Sequence, residues 1–184
     1  MRLFPRLLLG LSVVVAALAS CGAARADASA WLFAGGGVNH WKQGDGEYVD
    51  EGMLSIDTGV GTSPDGLFIV GGLLRMQPIL GTGTDLAALA RVASHGFQSG
   101  SFGAAIDVGG YLRFWGEGSQ GLMADITLGG PLGLQITAQT IYGTDKALEF
   151  AGFAGLDLLR LTVYRQNMLD WWPNPKPAQR TAAR

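Results

Sequence analysis

"GAAIDVGGYLRFWGEG", residues 103–118, alternates between two kinds of side chain. The even positions 106, 108, 112 and 114 are apolar, whereas the odd positions include Asp107, Tyr111 and Arg113. Successive side chains of a β-strand point to opposite faces of the sheet, so this alternation predicts a strand with one apolar and one polar face. An unpaired buried charge is very costly, so the charged face must find either water or partners of opposite sign.

Similar alternation recurs along the chain, and turn sequences such as "SPDG" at 63–66 and "GGPLG" at 129–133 separate the runs. The segment before "HGFQSG" also admits a helix, with Thr84 or Asp85 as its N-cap. In the last run the alternation of apolar and polar residues is interrupted at 157–159, and a β-bulge there would restore it. The runs predict eight strands, at 31–39, 53–62, 67–78, 86–94, 102–114, 122–128, 132–142 and 150–164.

The composition limits the class of protein. The chain has 184 residues, of which 48% are hydrophobic, 15% are charged and 29 are glycine, more than twice the ordinary glycine share of about 7%. The formal net charge is −2, and no basic run or patch indicates nucleic-acid binding. No stretch contains about 18 consecutive apolar residues, the length that a membrane-spanning helix needs.

Residues 1–26 have the pattern of an export signal peptide. Arg2 and Arg6 precede an apolar run at 7–19, and "ARA" at 24–26 fits the rule for signal cleavage. Cys21, the single cysteine, lies in "LASC", which resembles the lipidation site of bacterial lipoproteins. The two outcomes, lipidation at Cys21 or its removal with the leader, stay open. Either way, the mature chain contains no disulfide and no cysteine-based metal or nucleophile site.

The polar faces of the predicted strands suit a narrow interior better than a water-exposed surface. Lys42, Lys146 and Lys176 fall in predicted loops or in the tail, and the strand polar faces carry mainly Gly, Ala, Thr and Gln with a few Asp and Arg. We therefore predict an all-β protein, an eight-stranded antiparallel up-and-down transmembrane β-barrel. The predicted domain is 27–165, and a proline-rich tail at 166–184 is predicted to be disordered.

The charges on the polar faces are predicted to form a network inside the barrel. The turn positions bring Asp57 near Arg75 and Arg91 near Asp107, and Arg113 is expected to meet Asp125 across strands five and six. A structural plug of ion pairs is favoured over a path for protons or ions. The predicted lumen charge network consists of Asp57, Arg75, Arg91, Asp107, Arg113, Asp125 and Arg160.

Aromatic residues are predicted to form two girdles where the barrel meets the membrane interfaces. One girdle would contain Trp31, Phe33, Phe68, Phe102, Tyr164, Trp171 and Trp172. The other would contain Trp41, Phe114, Trp115, Tyr142, Phe150 and Phe153.

The segment "HWKQGDGEYVDEG" at 40–52, which contains four acidic residues, is predicted to be a long outer loop.

The leader, the strand number and the alternation make the chain resemble the small eight-stranded outer-membrane barrels of Gram-negative bacteria, over about residues 28–165. The resemblance implies a location in the cell outer membrane, insertion by the outer-membrane assembly machinery, and contact with membrane lipids and lipopolysaccharide. Such barrels usually end on an aromatic residue of the last strand. Here Tyr164 is followed by about 20 more residues, so either the assembly signal is internal or the Trp171-Trp172 pair takes the anchoring role.

Three functions follow as hypotheses. An eight-stranded barrel is only wide enough for side chains, which favours a structural or adhesive role through the outer loops, with no metal and no cofactor. Some barrels of this class resemble lipid A acyltransferases or deacylases, and the catalytic candidate here is His40 with Asp85, Thr82 or Asp45 as partner. No serine lies beside Asp85, which favours a role without catalysis. The third hypothesis is a soluble periplasmic calycin-like barrel that binds a small apolar ligand.

Overall fold

The computed structural model describes residues 28–98 and 102–162, which form a closed barrel of eight antiparallel strands. Each strand pairs with the next one in the chain, and β8 pairs with β1 to close the barrel. The predicted fold class, an all-β antiparallel barrel of eight strands, is confirmed. The strands are β1 (Ser29–Lys42), β2 (Val49–Gly61), β3 (Phe68–Ile79), β4 (Gly83–Ser94), β5 (Gly103–Arg113), β6 (Ser119–Gly129), β7 (Leu134–Gly143) and β8 (Leu148–Asp157).

The barrel has two different ends. We call the end with the β1–β2, β3–β4, β5–β6 and β7–β8 connections the hairpin rim, and the opposite end, where β1 begins and β8 ends, the terminal rim. Two short helices, α1 (His95–Gln98) and α2 (Leu158–Thr162), lie at the terminal rim, and a 3₁₀ turn, Pro131–Gly133, joins β6 to β7 there. No helix in the described ranges is both long and apolar enough to cross a membrane.

The predicted strand at 86–94 is confirmed as part of β4, and the alternative of a helix there is wrong. One strand boundary differs from the prediction at the terminal rim. The last strand ends at Asp157, and the predicted strand at 158–162 is wrong, because these residues form α2. Asp157 Oδ1 accepts hydrogen bonds from the backbone N–H groups of Leu159 at 2.9 Å and Arg160 at 3.2 Å, as a helix N-cap does. The break in alternation marks this strand-to-helix change and not a bulge.

The predicted long loop at 40–52 is also wrong. β1 continues to Lys42 and β2 begins at Val49, so the connection is only 43–48. Trp41 pairs with Val49 on β2 and with Glu149 on β8. The β1 part of this segment has ladder partners on both β2 and β8, and residues 49–52 of β2 pair with β1, so both strands extend into the predicted loop.

Inward-facing glycines let the strands approach one another closely. A Cβ atom at Gly109 would lie 2.0 Å from the carbonyl oxygen of Ala88, and one at Gly121 would lie 2.1 Å from the carbonyl oxygen of Tyr142. Both distances are far shorter than a normal contact, so any side chain there would displace the neighbouring strand. This crowding gives one reason for the high glycine content.

Most charged side chains of the strands lie inside the barrel, together with buried apolar clusters such as the one that contains Leu73 and Met123, and the outer face is largely apolar. In β5 the odd positions Asp107, Tyr111 and Arg113 are buried, and the even positions Ile106 and Val108 are exposed. This two-residue rhythm confirms the faces predicted from the sequence. The same division holds in other strands, whose exposed apolar side chains include Leu54, Ile56, Leu74, Val92, Leu122, Ile126, Leu128, Ile136 and Phe150.

Candidate functional site: the charged barrel interior

Almost all charged residues of the eight described strands have inward parity. The exceptions are Lys42 and Asp50, which lie next to the hairpin rim, where β1 ends and β2 begins. Two of these inward residues have partners of other kinds: Glu51 accepts from Trp41 and Thr82, and Asp157 accepts from the backbone of α2. The other inward carboxylates and guanidiniums form two groups at different heights.

The central charge cluster consists of Asp57, Arg75, Arg91, Asp107 and Asp125, whose side chains are at most 3% exposed. Arg75 lies directly opposite Asp57 across β2 and β3, and its Nε and Nη2 donate to the two carboxylate oxygens at 2.9 and 2.7 Å. Arg91 lies directly opposite Asp107 and bonds it in the same bidentate way, at 2.7 and 2.6 Å. Both predicted pairs are therefore present as direct cross-strand partners.

Arg75 also connects opposite walls of the barrel. From β3 its Nη1 donates to Asp125 on β6 and, at 3.0 Å, to the side-chain oxygen of Gln139 on β7. Gln77, one inward position further along β3, exchanges two amide hydrogen bonds with Gln139, at 2.8 and 3.1 Å. These bonds cross the lumen, so polar side chains fill the barrel at this height.

Arg91 also contacts two aromatic rings. Its guanidinium carbon lies 5.1 Å from the ring centroid of Trp31 and 5.2 Å from that of Phe97, within cation–π range. Phe97 comes from α1 and is fully buried in a cluster with Trp31 and Ile69. α1 thus inserts an apolar side chain into the terminal rim beneath the central charge cluster.

The second group, which we call the hairpin-rim cluster, consists of Asp85, Arg113 and Glu149. Arg113 lies opposite Asp85 across β4 and β5, and its Nη2 donates to Asp85 at 2.7 Å and to Glu149 at 2.5 Å. Trp41 and Trp115 pack against the same guanidinium, with ring centroids 5.5 and 4.3 Å from its carbon. The cation is therefore held by two carboxylates and two indole rings.

The two tryptophans also cover the hairpin rim. Their rings meet edge to face, with centroids 4.9 Å apart and planes at 82°. Trp115 Nε1 donates to Asp85 at 2.9 Å, and Trp41 Nε1 donates to Glu51 at 3.0 Å. Both rings are thus fixed by hydrogen bonds above the hairpin-rim cluster.

Arg160 lies at the terminal rim. It belongs to α2 and not to a strand, and its side chain is buried beside Gly129 and Gly133. Burial lowers the pKa of the Arg160 guanidinium, and the charge of Asp157 opposes that shift. The prediction of Arg160 as a strand residue is wrong, although its side chain is still enclosed by the barrel end.

The predicted pair of Arg113 with Asp125 is wrong. Arg113 lies opposite Ser119, and Asp125 lies opposite Asp107, because the turn at 114–118 sets the β5–β6 register in this way. Asp125 instead bonds Arg75 across the lumen. The sequence analysis did not identify Asp85 and Glu149 as the partners of Arg113. Both lie at inward-facing positions of their strands, so the two-residue alternation could have identified them as candidates.

His40 lies on the outer face near the hairpin rim, apart from both clusters. Its Nδ1 is 2.6 Å from Asp50 Oδ1, and its ring stacks on Tyr48 with centroids 4.3 Å apart. The predicted partners Asp85 and Asp45 are engaged elsewhere, by Arg113 and Lys146, and Thr82 donates to Glu51. Within residues 28–98 and 102–162, no hydroxyl nucleophile is hydrogen-bonded to His40.

The aromatic girdles are only partly as predicted. Trp31, Phe33 and Phe153 are buried inside the barrel, so their assignment to girdles is wrong. Their inward parity places them in the core, where they fill space around the guanidiniums. Of the predicted girdle residues, Phe68 and Phe102 are exposed near the terminal rim, and Phe114, Tyr142 and Phe150 are exposed near the hairpin rim. Tyr48, which was not among them, is also exposed near the hairpin rim.

Several predictions lie outside the described residues: the signal peptide at 1–26 with Cys21, the tail at 166–184, and the anchoring role of Tyr164, Trp171 and Trp172. Within the described part of the chain, no group of three or more His, Cys, Asp or Glu side chains is arranged to hold a metal ion. The chain matches no protein-family model, no curated protein and no solved structure.

Proposed function

We propose that this chain is an outer-membrane β-barrel with a side-chain-filled lumen and a structural role in the cell envelope. The observation that carries the proposal is the inverted polarity of the barrel: charges inside, apolar side chains outside. A barrel in water exposes most of its charges, because water solvates them favourably, whereas hydrocarbon cannot solvate a carboxylate or a guanidinium.

The dimensions of the strands support the same environment. The eight strands are 10 to 14 residues long, and a tilted strand needs about 9–11 residues to cross a bilayer. Exposed apolar side chains continue around the barrel, and exposed aromatics lie toward each end of this band. Aromatic residues at both edges of an apolar band are typical of membrane barrels.

A structural role is a better match than an adhesive one. The four connections at the hairpin rim are short, at 43–48, 80–82, 114–118 and 144–147. Salt bridges and hydrogen bonds such as Lys146 to Asp45, at 2.6 Å, and Gly44 to Asp145, at 2.7 Å, tie two of these connections together. Short, tethered loops offer little surface on which to bind a large partner.

The two alternative functions have less support. A soluble barrel that binds an apolar ligand needs an apolar interior, whereas five buried carboxylates and three buried guanidiniums from the strands occupy the two clusters here. A lipid-modifying enzyme needs a nucleophile or an activated water next to its base, and the carboxylate-oriented His40 has no described hydroxyl partner.

An arginine scan of the outer face tests the membrane proposal. Val108 is half exposed in the middle of β5, and Val108→Arg is expected to lower the free energy of unfolding in lipid vesicles by about 2–4 kcal/mol, because a mid-bilayer arginine is poorly solvated. The matched control is Gln120→Arg, on the outward face of β6 near the hairpin rim, where the expected loss is about 0–1 kcal/mol. Equal, small effects at both positions, measured by urea unfolding, would contradict a lipid-facing exterior.

A further inference from the structure

The central charge cluster is not balanced in formal charge. Asp57, Asp107 and Asp125 contribute three carboxylates, and Arg75 and Arg91 contribute two guanidiniums, so full ionisation leaves one net negative charge. All five side chains are at most 3% exposed. A net charge at such a depth is expensive unless a proton or a counter-ion neutralises it.

Hydrogen bonds show where the excess charge lies. Both oxygens of Asp57 accept from Arg75, and both oxygens of Asp107 accept from Arg91. Asp125 Oδ2 accepts from Arg75 Nη1. Asp125 Oδ1, however, is buried and has no hydrogen-bond partner. Five of the six carboxylate oxygens therefore have donors, and the sixth is on Asp125.

Asp125 also faces another carboxylate at close range. Asp107 and Asp125 lie directly opposite each other across β5 and β6, and both point inward. Directly opposed residues place their Cβ atoms about 4.5–5.5 Å apart, and like charges at that distance destabilise the pair. A proton on one carboxyl removes the repulsion and converts an acceptor into a donor.

We propose that the central charge cluster binds one proton at neutral pH, held on Asp125 Oδ1 and directed toward Asp107. The proton brings the cluster to zero net charge and gives the one unpaired oxygen a hydrogen bond. The inference does not rest on the membrane proposal, because the barrel wall encloses the cluster in water as well as in lipid.

Within the described barrel, the surrounding strands offer the cluster no further cation to neutralise its excess negative charge, so a proton is the neutralising species. The charged neighbours are Asp57 on β2, Arg75 on β3, Arg91 on β4 and Asp107 on β5. The inward neighbours from the other strands are uncharged: Trp31 on β1, Gln139 on β7 and Phe153 on β8. Arg113, the remaining guanidinium within the strands, bonds Asp85 and Glu149 instead.

A bound proton makes stability depend on pH with a definite sign. In the unfolded chain an aspartate has an ordinary pKa of about 3.9, so at neutral pH the folded central charge cluster binds one proton more than the same residues in the unfolded chain. The contribution of this cluster to stability must then fall as pH rises. For one extra proton on the folded cluster, each rise of one pH unit increases the unfolding equilibrium constant tenfold. This continues until the folded cluster itself loses the proton.

Infrared spectroscopy of the folded protein in D₂O tests the proposal. The wild-type chain is expected to show the carbonyl stretch of a protonated carboxylic acid at neutral pH, and Asp125→Asn is expected to lack it. Asparagine has nearly the shape of a neutral aspartic acid and leaves the Asp57–Arg75 and Asp107–Arg91 pairs intact. In urea unfolding, Asp125→Asn should also show a pH dependence that is smaller by one proton than that of the wild type.

The matched control is Asp85→Asn, which removes a carboxylate from the hairpin-rim cluster and should keep the carbonyl band. The absence of the band in the wild type at neutral pH, or an undiminished band intensity in both Asp125→Asn and Asp107→Asn, would overturn the proposal. The wild-type measurement needs no variant, so it decides the question even if Asp125→Asn does not fold. The band is expected in a water-soluble barrel too, which separates this outcome from failure of the membrane proposal.

Discussion

At the scale of single residues, one arrangement of arginine and aspartate recurs in the barrel. Arg75, Arg91 and Arg113 each lie directly opposite an aspartate on the neighbouring strand and donate to it through Nε and Nη2. Arginine suits this geometry because its planar fork matches both oxygens of a carboxylate. Each pair is thus formed across one hairpin. Arg75 reaches a second wall through its remaining Nη1, whereas Arg113 reaches Glu149 through the same Nη2 that bonds Asp85.

The first prediction at this scale concerns Arg113. Arg113→Leu should destabilise the protein by about 3–5 kcal/mol, because it leaves Asp85 and Glu149 buried without their cation. Adding Asp85→Leu should recover part of the loss, and adding Glu149→Gln should recover more. Urea unfolding in detergent micelles, followed by tryptophan fluorescence, measures these differences.

A second double variant separates the observed pairing from the sequence-based one. Asp125 bonds Arg75 and not Arg113, so Arg113→Leu combined with Asp125→Leu should be no more stable than Arg113→Leu alone. Recovery by Asp125→Leu, together with no recovery by Asp85→Leu, would contradict the hairpin-rim cluster described here.

At the scale of elements, β5 shows how neighbouring residues of one strand meet different surroundings. Gly109 points inward, where a Cβ would collide with the backbone of β4, whereas Gly110 points outward and its Cβ would have only an ordinary contact, at 3.7 Å. The two adjacent glycines are thus present for different reasons. The first permits close approach of the strands, and the second is a small residue on the outer face.

This difference predicts the effects of two alanine substitutions. Gly109→Ala should destabilise the barrel by about 1–3 kcal/mol, because the strand β4 must shift to admit the methyl group. Gly110→Ala should change the free energy of unfolding by about 0.5 kcal/mol or less. Urea midpoints of the two variants test the prediction, and a larger effect at Gly110 than at Gly109 would show that the faces of β5 are assigned wrongly.

At the scale of the whole molecule, the lumen is occupied along its length. Trp41 and Trp115 cover the hairpin rim, Arg75 bridges the walls in the middle, and α1 and α2 lie at the terminal rim. An eight-stranded barrel leaves room only for side chains, and here those side chains are held by ion pairs and aromatic contacts. In the described residues, side chains or short helices therefore lie at both rims and in the middle of the lumen.

This filling predicts no general pore activity. Protein refolded into lipid vesicles should not release small sugars or give stable stepwise currents in planar bilayers, because the side chains of the central charge cluster bridge opposite walls of the barrel. Heat-modifiable gel migration would verify that the barrel is folded in the same samples, and a larger porin would serve as the conducting control. Reproducible stepwise conductance from the folded wild type would contradict a filled lumen.

Local sequence patterns determined much of this molecule. The number of strands, their approximate positions and the face on which Asp107, Tyr111 and Arg113 lie follow from a two-residue alternation, which depends only on the geometry of an extended chain. The pairs Asp57–Arg75 and Arg91–Asp107 were also predictable, because a single turn sets the register of each hairpin.

The tertiary structure alone decided which charges meet across the barrel and what closes its ends. Asp125 reaches Arg75 from β6 to β3, and Glu149 reaches Arg113 from β8 to β5. Such contacts depend on the register of every intervening hairpin and on the closure of β1 with β8, so small uncertainties in turn length accumulate around the barrel. For a related reason, the sequence alone did not indicate that Trp31 and Phe33 face the inside of the barrel. Both faces of that part of β1 are apolar, so its alternation does not reveal which face lies inside until the sheet has closed.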